Sequence, residues 1–334
     1  MARAEPATVP RSAGTADPAL AQHSWWPWVR RGLTLTFFVV VAVLLVRFGR
    51  EVEWDAVWKT VRANPPATLL LAAALAAVSH ALVASFDLIG RSVTGHGLSA
   101  PRVLSVAWVS YVFNLNLGAL VGGAGFRFRL YSRLGLDNGV IAHVYGLSVL
   151  TNWLGYLVLI GATFLLAPIA LPPGWEFGSH GQTMAGVVLL LLALAYLLAC
   201  GFAPGRSWQW RGHCFTLPTE RVAMVQLALS LTNWVVIATI VYILLGQKID
   251  YPVVLGVMLV AAVAGAVTHV PAGLGVLEAV FVALLGDAMS QSSILAALLT
   301  YRALVYLAPL LLALAVYAVM EAGLRKNNPA PQLA

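Results

Sequence analysis

Charge is the scarcest property of this sequence. Only 10% of its 334 residues are Asp, Glu, Lys or Arg, against 60% hydrophobic, and the mean hydropathy is +0.85. A water-soluble domain carries roughly a quarter of charged residues, so a soluble globule is excluded and the chain reads as an integral membrane protein. Cysteine is nearly absent too. Cys200 and Cys214 stand outside any CxxC or Cys/His spacing, which leaves neither a disulfide framework nor a zinc site to expect. A P-loop is missing, and with it an ATP-driven pump, as is an HExxH metalloprotease motif. Gly146-Leu147-Ser148-Val149 lacks the second glycine of an intramembrane serine protease, although Ser148 and His269 are the pair such an enzyme would need. The paired aspartates of a CDP-alcohol phosphotransferase are not found. The sequence therefore argues against an enzyme and calls for no cofactor or metal.

What the chain does contain is apolar runs. A bilayer crossing takes about 20 residues, and runs at 32–49, 67–90, 103–121, 140–168, 183–202, 219–246, 252–270 and 293–322 use up nearly all of it. An all-α, polytopic membrane protein follows. Residues 1–24, rich in Ala, Pro, Ser and Thr, are expected to be a disordered tail. A transmembrane domain then spans 25–322, and 323–334 form a cytoplasmic tail. The net charge of +7 fits basic loops facing anionic lipid, not nucleic acid. Trp25, Trp26 and Trp28 with Arg30 and Arg31 make an interface anchor before the first run. Val52, Trp54, Val57, Trp58 and Val61 recur at helical spacing, which predicts a short helix lying in the interface.

Lys and Arg decide how many runs cross. With eight crossings and the N-terminus inside, nine fall inside and ten outside, which shows no positive-inside bias. If 103–125 and 252–287 enter and return on their own sides, fourteen fall inside and five outside, and the Lys/Arg-free loop 169–182 is outside. Six full spans plus two re-entrant hairpins are thus expected in the inner membrane, with both termini cytoplasmic.

Composition supports the same division. The first re-entrant segment carries Asn114 and Asn116 and is expected to break at Gly122-Gly123-Ala124-Gly125; the second breaks at Pro271-Ala272-Gly273-Leu274-Gly275. Non-helical backbone at membrane depth is tolerated where protein or a wet cavity surrounds it, although glycine also serves close helix packing in an ordinary span. An offset of 150 residues lays Gly123 on Gly273 and Gly125 on Gly275, and matches the four runs of 32–168 to the four of 183–322. Three crossings per half would turn the second half upside down, an inverted repeat. The repeated Leu-Thr-Asn-Trp at 150–153 and 231–234 is out of phase with that offset.

Few ionisable groups lie deep. Glu278 follows the second break, and Arg302 stands some 14 Å into the last run at about 1.5 Å per residue. A buried charge needs a partner or a wet cavity, so the two are expected to pair, either as part of a pathway or as a structural lock. Arg127, Arg129 and Arg133 follow the first break; Arg127 and Arg129 are candidates to collect an anionic headgroup, with an ordinary positive-inside patch as the alternative. Asn114, Asn116, Gly123, Gly125, Pro271, Gly273 and Gly275 would line the pathway with Glu278 and Arg302. His80, Asp87, His143 and His269 are expected to make structural hydrogen bonds, and Asn152 and Asn233 to bond between helices.

These residues resemble a known family. The runs NLNLGALVGGAGFRFRLYSRLGL (114–136), LTNWLGY (150–156), HVPAGLGVLEAVFVALL (269–285) and ALLTYRALVYLAPLLLAL (297–314) are similar to the YbhN branch of the lysylphosphatidylglycerol synthetase transmembrane family, with Pro-x-Gly-x-Gly-x-x-Glu at 271–278 the most specific signature. Members of that family join a lipid-flipping membrane region to a soluble aminoacyl-transferase domain, which is not read in these residues. The resemblance implies the translocation half: flipping of an anionic phospholipid or polyprenyl-phosphate carrier. A non-transporting membrane partner of a phospholipid- or cardiolipin-synthesising enzyme stays open as the other reading.

The topology makes a direct prediction. An impermeant thiol reagent applied to intact cells should label a cysteine placed at Ser179 and miss one placed at Ser132. External labelling at 132 would restore eight crossings.

Overall fold

The computed structural model describes residues 54–169, 178–203, 205–210, 213–268, 270 and 273–327, together with isolated positions before 54. Two compact units are distinguished, Met1–Arg47 and Phe48–Ala334. Of the first, Thr36, Val39, Val43 and Val46 are described, all helical and exposed. The expected crossing at 32–49 otherwise lies outside the described residues, as does the tail proposed at 1–24; of the tail proposed at 323–334, residues 323–327 continue the last helix and the rest lie outside the described residues.

In the larger unit, helix α1 (Trp54–Ala63) has the sequence of the expected interface helix. Trp54 and Trp58 are exposed, and Asn64 Nδ2 donates to Thr300 Oγ1 at 3.1 Å. Helix α2 (Pro66–Thr94) starts where a proline ring costs no helical hydrogen bond and ends at Gly95, whose φ of +67° lets its N–H reach the Arg91 carbonyl.

Helix α3 (Ala100–Leu117) then ends at Gly118, with φ +84°. Here the chain reverses. A π-helical stretch, π1 (Ala119–Gly125), and helix α4 (Phe126–Arg133) return along α3. Phe113 stacks on Phe126 with ring centroids 4.0 Å apart, and the Tyr131 hydroxyl lies 3.4 Å from the Val103 carbonyl. The arms are therefore antiparallel, as a re-entrant hairpin requires. The sequence placed the break at Gly122–Gly125, but the reversal is at Gly118. Gly122 is needed for a different reason. A Cβ there would stand 2.1 Å from the Phe113 carbonyl oxygen, so only glycine lets the arms approach.

Helix α5 (Asn138–Leu166) and helix α6 (Ser179–Phe202) pack closely, with the Gly161 and Gly186 backbones in contact. Between α6 and helix α7 (Glu220–Leu244), strands β1 (Ser207–Trp210) and β2 (His213–Thr216) form an antiparallel hairpin with Ser207 opposite Thr216. This small sheet was not expected from the sequence. Helix α8 (Tyr251–Thr268) and helix α9 (Val276–Leu285) pack together as the second hairpin, turning through Gly273 and Gly275 at φ +57° and +78°. Helix α10 (Gln291–Arg302), a π-helical stretch π2 (Ala303–Leu307) and helix α11 (Ala308–Asn327) complete the chain.

Six helices among the described residues are long and apolar enough to cross a membrane: 66–94, 138–166, 179–202, 220–244, 251–268 and 291–322. The fifth is α8, which the sequence assigned to a re-entrant segment; its length alone would allow a crossing, but α9 folds back along it.

The buried apolar core lies between α2, α5, α7, α8, α9 and α10, with α2 also packed on α3. Ser79 Oγ donates to Asn233 Oδ1 at 2.7 Å, the interhelical role expected of that asparagine. Asn152 contributes its carbonyl, which accepts from Ser230 Oγ at 2.9 Å and from Trp234 Nε1 at 3.2 Å. The two Leu-Thr-Asn-Trp copies thus meet at the α5/α7 crossing, which is why they ignore the 150-residue offset. Other contacts obey it. His80 Nε2 lies 3.1 Å from the Val305 carbonyl, and the positions 150 residues away, Ser230 and Gly155, also touch. A Cβ on Gly155 would stand 2.4 Å from Ser230 Oγ and 2.6 Å from the Leu231 nitrogen.

That approach is testable. Gly155→Ala should overpack the α5/α7 crossing by about 1–3 kcal/mol and lower the Tm of the detergent-solubilised protein by several degrees. Gly97→Ala, at a position with nothing within 4 Å, should leave Tm unchanged.

Candidate functional site: two arginine-clamped hairpins

Each hairpin is held by one buried arginine. In the first, Arg127 on α4 faces Asp87 on α2: its Nε lies 3.0 Å from Oδ2 and its Nη2 3.2 Å from Oδ1, with the side chains 4% and 0% exposed. Nη1 donates to the Gly123 carbonyl of the same hairpin at 3.3 Å, and Nη2 lies 3.4 Å from Ser148 Oγ on α5. The Tyr131 hydroxyl donates to Asp87 Oδ2 at 2.9 Å. Tyr145 presents its ring face 5.2 Å from the guanidinium, a cation–π contact.

In the second hairpin the pair is reversed, the carboxylate lying on the hairpin and the arginine outside it. Arg302, at the end of α10, grips Glu278 on α9 through both Nε and Nη2, the latter 2.9 Å from Oε2. Nη2 also donates to the Gly273 carbonyl at 2.8 Å, and the Tyr306 ring lies 5.5 Å from the guanidinium. The expected Glu278–Arg302 partnership is present. A bidentate fork of this kind is the strongest form of ion pair.

Gly123 and Gly273, the carbonyls the two arginines hold, are the glycines 150 residues apart. Depth is matched as well. Asp87 lies seven residues before the end of α2, Arg127 six before the end of α4 and Glu278 seven before the end of α9. At 1.5 Å per residue these three residues each stand about 10 Å from the C-terminal end of their helix.

The hairpins come together at π2. Asn116 Nδ2 donates to Val112 O at 2.8 Å and reaches the Tyr306 carbonyl at 3.4 Å, while Arg302 stands over the Tyr306 ring. A π-bulge frees carbonyls from the regular ladder, and His80 and Asn116 take two consecutive ones, of Val305 and Tyr306. Asn116 Oδ1 and His80 Nδ1 are buried with no partner among the described residues. Buried polar atoms of that sort call for a ligand or water.

The other expected site residues fall as follows. Asn114 Oδ1 and the Tyr145 hydroxyl crowd Gly123, within 2.9 and 3.0 Å of where a Cβ would sit. Gly125 keeps ordinary helical φ and ψ and takes no part in the turn. Pro271 and His269 lie outside the described residues. The basic cluster is divided: Arg127 is turned inward, whereas Arg129 donates to the Tyr317 hydroxyl at 2.9 Å and to Glu321 Oε1 at 3.2 Å, and Arg133 also reaches Glu321. Arg127 is therefore no surface collector of headgroups. No group of three or more metal-ligating side chains occurs among the described residues.

Sequence reasoning expected a structural hydrogen bond of Asp87, which it makes, but not its place as the partner of Arg127, and gave no site role to Tyr131, Tyr145, Tyr306 and Glu321. For Asp87 a signal existed: an acidic residue and an arginine at equal depth in two segments whose inner ends are close neighbours in the topology. The tyrosines left none, because aromatic residues in an apolar run look like core.

Comparison with known proteins agrees with the architecture. Residues 34–313 match the family model described as the lysylphosphatidylglycerol synthase transmembrane region. The chain is similar to inner membrane protein YbhN of Escherichia coli K12, 43% identical over 305 residues that cover 91% of this chain and 96% of that protein. An uncharacterized Synechocystis protein, slr0712, is 30% identical over 262 residues, 77% of this chain and 80% of the relative. A phosphatidylglycerol lysyltransferase of Staphylococcus haemolyticus is 26% identical over 255 residues, 72% of this chain but 28% of that longer protein. With most of its length matched and six apolar helices in place, the chain is a multi-pass inner-membrane protein belonging to the lysylphosphatidylglycerol synthase transmembrane family.

Proposed function

We propose that this protein moves an anionic lipid, a phospholipid or a polyprenyl phosphate, between the leaflets of the inner membrane. Family membership gives it a membrane-lipid-related function, and the two clamps support the finer reading. The observation on which it rests is the pair of buried guanidinium forks, one per hairpin, each gripping the carbonyl of the equivalent glycine. A guanidinium fork matches a phosphate as well as a carboxylate. Each arginine could therefore trade its carboxylate for a lipid phosphate without leaving a bare charge.

The halves 32–168 and 183–322 read as an inverted repeat. On that reading the first clamp serves one leaflet and the second the other, with Asn116, Tyr306 and Arg302 joining them near the midplane. Tyr145 and Tyr306 would keep each guanidinium oriented while its anion changes. The acyl chains would stay in lipid, along the exposed apolar faces of the outer helices. Arg129 and Arg133, held by Glu321 at the ends of α4 and α11, would meet a headgroup first.

The direct test is a leaflet-sidedness assay. Purified protein in phosphatidylcholine vesicles should equilibrate acyl-labelled phosphatidylglycerol or phosphatidate between leaflets at least tenfold faster than labelled phosphatidylcholine. Equal rates for anionic and zwitterionic lipid, or none above empty vesicles, would refute the reading.

Charge variants separate pathway from scaffold. Glu278→Gln or Arg302→Gln alone leaves a buried charge unpaired, at a cost of about 3–5 kcal/mol, and should show as poor expression or a lowered Tm. The double swap Glu278→Arg with Arg302→Glu should recover stability. It should not recover flipping, because a carboxylate at position 302 has no N–H for the Gly273 carbonyl. Normal flipping by a stable swap variant would reduce the pair to a lock.

A further inference from the structure

Asn114 and Asn116 stand two residues apart on α3, about 200° around the helix, and so face nearly opposite sides of it. Asn116 turns inward to the Tyr306 carbonyl. Asn114 is half-buried, and its side-chain amide makes no hydrogen bond among the described residues. Its Oδ1 and the Tyr145 hydroxyl of α5 gather over Gly123, 2.9 and 3.0 Å from where a Cβ would stand. The hydroxyl reaches the Ala119 carbonyl only at a long 3.3 Å. The Gly123 carbonyl in turn accepts from Arg127 Nη1, also at 3.3 Å.

Beside this polar spot the surface is apolar and open. Leu120 is 83% exposed and Val149 38%, and a Cβ on Gly146 would meet nothing within 4 Å. Val149 lies one turn after Tyr145 on the same face of α5. We propose that Asn114, Tyr145 and Arg127 form a docking site for the phosphate of a membrane lipid, whose acyl chains lie against Leu120 and Val149. The proposal rests on the translocation reading above and names the contact that the substrate makes before Arg127 exchanges its carboxylate.

The donors are already in place. A half-turn of the Asn114 amide about its terminal bond presents N–H groups where Oδ1 now stands, and the Tyr145 hydroxyl gives up a long bond for a shorter, charge-assisted one. Nη1 of Arg127 moves from the Gly123 carbonyl to a phosphate oxygen while Nε and Nη2 stay on Asp87. The ion pair therefore stays closed during docking, and no charge is left bare in low dielectric.

The surroundings select the ligand. None of the three side chains is negative, and the carboxylate of the clamp is engaged by Arg127 and Tyr131, so the site takes an anion and offers no partner to an amine. A free phosphate ion would leave Leu120 and Val149 uncovered. Polar groups at the inner end of a membrane hairpin find no water on a lipid-facing surface, and a lipid satisfies both kinds of surface at once. Gly123 has its own part, because a methyl group there would push aside the ends of Asn114 and Tyr145 without touching the Arg127–Asp87 pair.

The test begins with binding, using the full chain in maltoside micelles. The fluorescence anisotropy of acyl-labelled phosphatidate should rise saturably with protein, and the same label on diacylglycerol should not bind. Equal binding of diacylglycerol overturns the phosphate contact. An excess of inorganic phosphate should leave the signal unchanged; displacement by it makes the site one for a free anion and overturns the lipid assignment. Both arms use unmodified protein.

Variants then locate the site. Tyr145→Phe keeps the ring that faces Arg127. With Asn114→Ala and Gly123→Ala, it should weaken phosphatidate binding about tenfold, the worth of one hydrogen bond to a charged group, at unchanged Tm. Tyr251→Phe removes another exposed hydroxyl, bonded to the Val235 carbonyl at 3.0 Å, and should bind like the unmodified protein. Normal binding by all three site variants overturns the proposal.

Flipping gives the second readout. In phosphatidylcholine vesicles, Tyr145→Phe should raise the density of labelled phosphatidate at half-maximal flipping about tenfold and leave the maximal rate unchanged, a split that a loosened scaffold does not produce. Flipping at full affinity and rate in the variants removes the docking site and leaves translocation standing. Binding that depends on the three residues, with no flipping under any condition, keeps the site and overturns translocation.

Discussion

A guanidinium some 10 Å inside an apolar bundle cannot be left without an anion, and much of the architecture can be read as meeting that requirement twice. At the first clamp, α2 must bring Asp87 to the same depth as Arg127, so α2 and α4 have to pack with their inner ends level. At the second, α10 must end beside the start of α9, which fixes where the hairpin of α8 and α9 can sit. Removing either carboxylate would leave a charge that low dielectric penalises more heavily than the original pair. The buried pairs therefore add little net stability while excluding other arrangements of the helices.

Around these clamps the chain uses small residues to bring backbones together. Gly122 lets the arms of the first hairpin touch, Gly155 admits Ser230 at the α5/α7 crossing, and Gly161 meets Gly186 between α5 and α6. In a bilayer the lipid tails are as apolar as leucine, so packing and interhelical hydrogen bonds, not hydrophobic burial, hold helices to one another. The bonds from Ser79 to Asn233 and from Trp234 to the Asn152 carbonyl serve that purpose. They place α2, α5 and α7 beside hairpins whose turns depend on glycines at positive φ.

Between the hairpins, π2 has a second use. Its widened turn gives up the Val305 and Tyr306 carbonyls to His80 and Asn116, elements of α2 and α3, while Arg302 lies just before it and Tyr306 within it. Arg302 is thereby connected, through Tyr306, with the end of the first hairpin.

The sequence by itself determined the environment, the class and that two segments break in their middles. Ten per cent charge over eight apolar runs leaves no choice but the bilayer, since each run matches its thickness. Lys and Arg counts favoured two hairpins over eight crossings, and the chain does fold back at Gly118 and at Gly273–Gly275; Glu278 and Arg302 announced themselves as charges with nothing else nearby. Tertiary structure decided the rest. The reversal at Gly118 in place of Gly122–Gly125 depends on which glycine takes positive φ, and all of them look alike in one dimension. Asp87 looked like a solitary structural acid because its partner is 40 residues away and reaches it only once the first hairpin folds back. The repeated Leu-Thr-Asn-Trp made sense only when α5 and α7 crossed there, and Arg127 became a buried clamp, not a surface charge, because α4 turns that face towards α2 and α5. Pairing across distance is a property of packing, and no spacing along the chain encodes it directly.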